Sequence, residues 1–180
     1  MNTMTQDDEY SASERLEYEM ESEMTDSAMP ALDAPARIMP GKKLRVQTFG
    51  NFEVFADGTP LTFKRSKTKE LFAYLVMRRG ARCSNREVAA VIWEDRTDTP
   101  ALQSHYRLLV SDLKKSLKAV CSEDVLIKQR GYLAVAPENF SCDMYEYCVA
   151  DVNAIKSYTG EFMAQYSWAE LTNSYLDRIR

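Results

Sequence analysis

The polar side chains between positions 104 and 115 have the types and the spacing that contact with a nucleic acid requires. With about 100° per residue along a helix, one face holds no acid and presents Ser104, Arg107, Ser111, Lys114 and Lys115. Arginine can fork onto a guanine edge in the major groove, and a serine hydroxyl can contact a base edge or a phosphate. Lysines neutralise phosphates, which positions a protein without reading sequence. This face therefore predicts contact with duplex DNA, with Arg107 as the base-reading candidate.

The helix that carries this face is predicted from its other side. Thr99 and Pro100 suit an N-cap followed by the first helical position, where proline is favoured. Apolar side chains then fall within about 40° of one line on the helix surface, at Leu102, Tyr106, Leu109, Leu113, Leu117 and Val120. We therefore expect a helix over about residues 100–119, with one apolar face in the core and the basic face in solvent.

Two further helix starts precede this helix. Residues 66–70 open an apolar-periodic segment, and Gly80 is expected to end it because glycine adopts the left-handed conformation that follows many helices. Ser84 and Glu87 have the spacing of a capping box, which opens the second helix. The chain thus has three successive helices between residues 66 and 119.

Basic side chains gather at the start of the first helix, and two of them are candidate phosphate ligands. Arg65 and Lys67 lie where free backbone amides and the helix dipole favour an anion. The alternative is an ordinary solvated first turn, and the sequence leaves both interpretations open.

Strand patterns flank the helices on both sides. Residues 44–63 alternate apolar and polar side chains around an Asp57-Gly58 turn, which predicts a small antiparallel meander of three or four strands. Residues 125–135 form a basic strand–turn–strand pattern in which Gly131 supplies the freedom of a tight turn. Arg130 at its tip is a candidate minor-groove contact, or it keeps the hairpin soluble. We therefore expect an α+β fold of the winged-helix kind: a sheet, three helices and a hairpin wing.

Charge divides the chain into three segments. The net charge of −4 over 180 residues conceals −8 in residues 1–40, +8 in residues 41–135 and −4 in residues 136–180. The basic segment coincides with the expected winged helix, which points to a polyanionic partner. We expect an acidic disordered tail over 1–40, a DNA-binding domain over 41–136 and a short helical extension over 137–180. The last helix of that extension has Leu171, Tyr175 and Ile179 on one side.

Several other classes of protein are disfavoured. The four cysteines form no C-x-x-C pair and there is one histidine, so we expect no metal, no cofactor and a reduced cytoplasmic location. No apolar run approaches the roughly 18 residues that span a bilayer, so no membrane association is expected. No nucleophile–base pair, phosphate loop or carboxylate pair has convincing spacing, so an enzyme is not expected.

Several segments together resemble a known family. They are similar to the winged helix of OmpR/PhoB-type regulators, and more narrowly to the branch shared with SARP-type activators, over residues 44–54, 58–61, 65–71, 87–94 and 111–117. Residues 160–170 resemble the segment that opens the helical bacterial transcriptional activation domain. The resemblance covers roughly residues 44–170 in order.

This resemblance implies a fold and a mode of binding. It implies a four-stranded N-terminal sheet, three helices and a wing, with the third helix as the recognition helix. By position, Ser104, Arg107, Ser111 and Lys114 would face the major groove, and Arg130 the minor groove. It also implies dimers on direct repeats, and RNA polymerase as a partner of the loop at about 94–98. Response regulators of two-component systems carry a receiver domain ahead of the wing fold; here we expect only the acidic tail.

Two hypotheses about function follow. The first is a bacterial, cytoplasmic, sequence-specific DNA-binding transcriptional regulator. The alternative is a protein-interaction module that titrates a partner regulator without reading DNA, through its acidic, aromatic C-terminal segment. In either case, the charge of residues 1–40 could compete with phosphates for the basic face, which would make the tail autoinhibitory.

Overall fold

The computed structural model describes residues 44–93 and 99–178. The tail expected over residues 1–40 and the loop at 94–98 lie outside the described residues. Within the described ranges one hydrophobic core cluster extends from Leu44 to Leu176, and it draws on both sheets and on all three central helices. No helix there is long and apolar enough to cross a membrane.

The described residues confirm the α+β class. Their strands are β1 (Leu44–Gln47), β2 (Glu53–Ala56), β3 (Thr59–Pro60), β4 (Cys83–Ser84), β5 (Leu126–Gln129), β6 (Tyr132–Val135) and β7 (Ser141–Cys142). Their helices are α1 (Ser66–Met77), α2 (Asn85–Ile92), α3 (Pro100–Ala119), α4 (Asp143–Cys148), α5 (Val152–Ser157) and α6 (Glu170–Arg178). Short 3-10 turns occupy Glu123–Val125, Pro137–Asn139 and Ser167–Ala169.

The N-terminal sheet has four strands in the order β3-β2-β1-β7. The first three form the predicted antiparallel meander, in which Val46 lies opposite Val54. The fourth strand differs from the expectation: it is β7, from after the hairpin, and it pairs parallel to β1 with Cys142 opposite Val46. An exposed edge of β1 would leave backbone amides and carbonyls unpaired, and β7 satisfies them.

The second sheet contains the predicted basic hairpin. Strands β5 and β6 pair antiparallel across a two-residue turn, with Gln129 opposite Tyr132. Gly131 in this turn has a φ of +82°, the left-handed conformation for which glycine was expected there. Strand β4, between α1 and α2, adds a third strand beside β6.

Helix α1 ends earlier than the position of Gly80 suggested. Its last residue is Met77, Arg78 is the C-cap, and the left-handed conformation is adopted by both Arg79 and Gly80. Gly80 is also required for close packing, because a Cβ atom there would lie 3.0 Å from Cγ of Pro137. The chain between α1 and β4 is therefore held against the end of the hairpin.

The α1–α2 contact depends on Glu87. The backbone amide of Glu87 donates to the Ser84 hydroxyl at 3.1 Å, which is one half of the expected capping box. Its carboxylate instead accepts from Arg78 at 2.6 Å and from the Tyr74 hydroxyl at 3.0 Å. Burial and then this hydrogen bond raise the pKa of Tyr74. One carboxylate thus links the end of α1 to the start of α2, which fixes the angle between them.

The C-terminal helices pack on the N-terminal sheet. The carboxylate of Asp143, at the start of α4, accepts from the amides of Thr48 at 2.8 Å and Phe49 at 3.0 Å. Phe52 donates its amide to Gln165 at 2.9 Å and accepts from the same side chain at 3.2 Å. These contacts join residues about a hundred positions apart in sequence and place the extension against the edge of β1.

Candidate nucleic-acid interface

Helix α3 is held in place by its N-cap and by its buried side. The Thr99 hydroxyl accepts from the amide of Leu102 at 3.2 Å, and Pro100 occupies the first turn, as the sequence predicts. The predicted core face is buried at Leu102, Tyr106, Leu109, Leu113 and Leu117. Burial raises the pKa of Tyr106, so its phenol stays neutral and acts as a core group. This packing fixes which side of α3 faces solvent.

The solvent side of α3 presents the polar residues selected from the sequence. Ser104, Arg107, Lys114 and Lys115 are exposed, and Ser111 is partly buried. The Ser104 hydroxyl donates to the carbonyl of Pro100 at 3.1 Å, so its oxygen can still accept a hydrogen bond from a ligand. We refer to the surface formed by Ser104, Arg107, Ser111, Lys114 and Lys115 as the basic face of α3.

The cations of α1 and those of α3 differ in whether they form ion pairs. The salt bridges between described residues are Arg65–Asp112, Lys67–Glu70, Lys69–Glu53 and Arg78–Glu87. Thus α1 and its flanks supply all four cations of these pairs. Within the described ranges, no carboxylate pairs with Arg107, Lys114 or Lys115. Among the described residues, the cations of the basic face of α3 are therefore not neutralised by ion pairs.

The structure places Arg65 in a partly buried ion pair. Its guanidinium contacts the carboxylate of Asp112, which lies on α3 and is only 5% exposed. Asp112 flanks the basic face and points toward the start of α1. Arg65 thus links α1 to α3, which the sequence could not indicate because the two residues lie far apart in the chain.

Lys67 is also engaged inside the protein. Its ammonium group donates to the carbonyl of Ile92 at 2.8 Å and pairs with Glu70 at 2.8 Å. The Ile92 carbonyl belongs to the last turn of α2, where a cation satisfies an orphan acceptor. Lys67 therefore links α1 to the end of α2. An external phosphate would have to share the ammonium group of Lys67 with the Ile92 carbonyl and Glu70.

The hairpin presents a second cationic element. Arg130 and Lys128 are exposed at and near its tip. Next to the turn, the guanidinium of Arg82 lies 4.8 Å from the ring centre of Tyr132, whose hydroxyl hydrogen-bonds to Gln129. These contacts stiffen the strands that carry Arg130.

One residue of the α3 surface was not selected from the sequence. Leu108 lies on the solvent side of α3 and is 42% exposed. A helical wheel places Leu108 close to Ser104 and Lys115. It was missed because only polar side chains were considered for this face. An apolar group therefore lies at the border of the basic face.

The described residues contain no candidate metal site. Within them, no three His, Cys, Asp or Glu side chains come together closely enough to hold a metal ion. The cysteines placed there are all unpaired, and Cys83 and Cys142 are buried. Burial raises the pKa of both thiols, which keeps them in the unreactive neutral form.

The described residues thus define an α+β protein with a cationic helix face. Its fold is similar to that of Mycobacterium tuberculosis EmbR, whose structure was solved in complex with a low affinity phosphopeptide, with a TM-score of 0.60 and 19% identity. The match covers 76% of this chain and 42% of that chain, so this chain spans less than half of the EmbR chain. No protein-family profile matches the sequence, and no curated protein matches it.

Proposed function

We propose that this chain is a sequence-specific DNA-binding transcriptional regulator of a bacterial cell, built on a winged helix. In this proposal α3 is the recognition helix and enters the major groove, and the β5–β6 hairpin is the wing beside the minor groove. The chain acts in the cytoplasm, in the manner of OmpR/PhoB-type and SARP-type regulators.

One observation carries the proposal. The cations of α1 pair with internal carboxylates, whereas Arg107, Lys114 and Lys115 pair with none of the described ones. An unneutralised cationic face on a helix with a rigid, buried opposite side suits phosphates that flank a groove. A major groove about 12 Å wide admits one helix, so a single face can contact both phosphates and base edges.

Each residue of the interface has a separate role in this proposal. Arg107 reads a guanine edge, and Ser104 and Ser111 contact base edges or phosphates. Lys114 and Lys115 bind phosphates and set the register. Arg65 and Lys67 at the start of α1 are secondary phosphate contacts, because each already shares its charge with Asp112 or Glu70. Arg130 approaches the minor groove.

The fold likeness supports the same class of protein. The fold of EmbR is similar over 76% of this chain, which agrees with the SARP-type resemblance of the sequence segments. We extend the proposal to head-to-tail dimers on direct repeats and to RNA polymerase as a partner of residues 94–98. At 19% identity these finer features rest on the resemblance of sequence segments.

The test is selection of bound duplexes from a random DNA pool by the full chain, repeated with Arg107→Ala. We expect the wild type to enrich a direct repeat with a guanine in each half-site, and the variant to lose preference at that guanine by about 1–3 kcal/mol.

Lys118→Ala is the matched control. It removes one exposed positive charge from α3 about 16 Å further along the helix than Arg107, where we expect no contact with DNA. It should leave the enriched sequence unchanged. Failure of the well-folded wild type to enrich any sequence would refute the proposal.

A second candidate function is favoured by exposed apolar side chains in the C-terminal helices. Leu171 is 84% exposed and Val149 is 77% exposed, and Val152 and Tyr175 are exposed as well. Such side chains suit a protein partner, in keeping with a module that titrates a regulator. Charge reversal at Arg107 and Lys114 distinguishes the two functions, because it abolishes DNA binding and leaves partner binding intact.

A further inference from the structure

Leu108 is an exposed apolar residue of α3, the helix proposed to enter the major groove. It is 42% exposed, whereas the leucines of the core face of α3 are buried. With about 100° per residue, Lys115, Ser104 and Ser111 all lie within about 60° of Leu108 on the helix surface. The leucine therefore lies among the side chains that would enter the groove, and its packing gives it no place in the core.

The structure also fixes what lies on either side of Leu108. On one side, Arg107, Lys114 and Lys115 are exposed cations without a described carboxylate partner. On the other side, Asp112 is buried in its pair with Arg65 at the start of α1. When the cations contact the phosphates that flank a groove, Leu108 lies at the edge of the same face, next to Lys115, and can reach the groove floor.

The floor of the major groove offers one apolar partner. Base pairs present hydrogen-bond donors and acceptors there, and the C5-methyl group of thymine is the apolar exception. A leucine cannot satisfy a base donor or acceptor, so contact with any other edge would desolvate a polar atom without replacing its hydrogen bond.

We infer that Leu108 is a specificity-determining residue that reads the methyl group of a thymine. This inference rests on the proposed function and deepens it, because it names an operator base that the polar residues do not select. Consecutive residues of a helix rise about 1.5 Å and diverge by about 100°, and base pairs stack about 3.4 Å apart. The thymine therefore lies within about two base pairs of the guanine that Arg107 contacts.

The experiment removes the methyl group from the DNA and the leucine from the protein. The duplex enriched by the full chain is prepared with each thymine replaced in turn by deoxyuridine, which lacks the methyl group and keeps every hydrogen-bonding atom. Dissociation constants are measured at one salt concentration for the wild type and for Leu108→Ala. Because Leu108 is exposed, Leu108→Ala should fold normally, and thermal unfolding verifies this.

We expect one deoxyuridine position per half-site to weaken wild-type binding about fourfold, the equivalent of burying one methyl group. The same replacement should change binding of Leu108→Ala by less than about twofold, because the contact is already absent. Leu171→Ala is the matched control: it truncates an exposed leucine on α6 and should keep the full deoxyuridine penalty.

Two results would overturn the inference and leave the proposed function standing. In one, no deoxyuridine position weakens wild-type binding, although a specific sequence is enriched. In the other, deoxyuridine weakens binding of Leu108→Ala as much as binding of the wild type, which would assign the methyl contact to another residue. If no sequence is enriched at all, the inference falls together with the proposed function.

Discussion

At the scale of single residues, Asp112 is the acidic group closest in sequence to the lysines of the basic face. It is the one acid of α3, yet it is buried and paired with Arg65. A carboxylate in solvent at this position would repel phosphates, whereas the pair with Arg65 neutralises it. The same pair keeps Arg65 from acting as an independent phosphate ligand.

Replacing Asp112 by asparagine should therefore have opposite effects on binding and on stability. The amide keeps the shape and can still accept one hydrogen bond, so we expect a loss of about 1–2 kcal/mol in the free energy of unfolding. Removal of the charge releases Arg65, and affinity for duplex DNA should rise roughly two- to fivefold at low salt. Urea denaturation and fluorescence anisotropy measure the two quantities.

Asp57→Asn controls for charge alone. Asp57 is exposed in the β2–β3 turn with a φ of +47°, a conformation that asparagine tolerates. If Arg65 gains a phosphate contact, the slope of log affinity against log salt concentration should become more negative by about one in Asp112→Asn. The slope for Asp57→Asn should not change. Equal effects of both variants would show that Asp112 acts only through the net charge of the protein and not by holding Arg65.

Sequence reasoning at this scale succeeded where the helix itself determines orientation. The exposure of Arg107, Lys114 and Lys115 follows from the apolar stripe on the opposite side of α3. The partners of Arg65 and Lys67 did not follow, because they lie on other helices. Such pairings depend on the angles between helices, which no local pattern encodes.

At the scale of elements, the contact between α4 and β1 is the clearest link between the C-terminal extension and the N-terminal sheet. Asp143 accepts from two β1-side amides and from the Thr48 hydroxyl at 2.5 Å, and Thr48 is fully buried. The carboxylate thus satisfies backbone donors that would otherwise be buried without partners. Strand β7, directly before Asp143, completes the same edge.

Asp143→Ala should be strongly destabilising for this reason. Loss of several charge-assisted hydrogen bonds leaves the amides of Thr48 and Phe49 unsatisfied, and we expect a loss of about 2–4 kcal/mol in the free energy of unfolding. Chemical denaturation monitored by tryptophan fluorescence provides the measurement.

Asp151→Ala is the matched comparison, because Asp151 also begins a short helix. It accepts from the amides of Asn153 at 2.9 Å and Ala154 at 3.0 Å, and it is exposed. Removal of an ordinary N-cap costs about 1 kcal/mol. Similar losses in the two variants would show that Asp143 acts as a simple cap rather than as a tie to the sheet.

Helix α6 shows where periodicity fails for short elements. The sequence places Leu171 and Tyr175 on one side of the last helix, but that side faces solvent in the structure, and Leu176 is the buried residue. The nine residues of α6 hold three large apolar side chains, too few for periodicity to determine the buried side, and Ile179, also predicted on the side of Leu171, lies outside the described residues. The hydroxyls of Tyr147 and Tyr158, which bond to the main chain of Leu176 and to Asp177, determine which stripe faces inward.

At the scale of the whole molecule, the distribution of charge matters more than its total. The basic segment over residues 41–135 is partly neutralised from within, since Glu53, Glu70, Glu87 and Asp112 each pair with a cation on or beside α1. The cations of α3, by contrast, pair with none of the described carboxylates. The largest uncompensated block of opposite sign in the sequence is residues 1–40, with ten acids and two bases.

Deletion of residues 1–40 should therefore raise affinity for duplex DNA at low salt. We expect a tethered segment of net charge −8 to compete with phosphates for the cations of α3, and salt to screen this competition over a Debye length of about 10 Å at 0.1 M. We expect the gain to shrink as salt is raised. A full-length variant with the ten acids changed to asparagine or glutamine should bind like the deletion, because charge rather than bulk inhibits. Equal affinity of all three proteins at low salt would exclude autoinhibition by the tail, and a gain from the deletion alone would assign the effect to excluded volume.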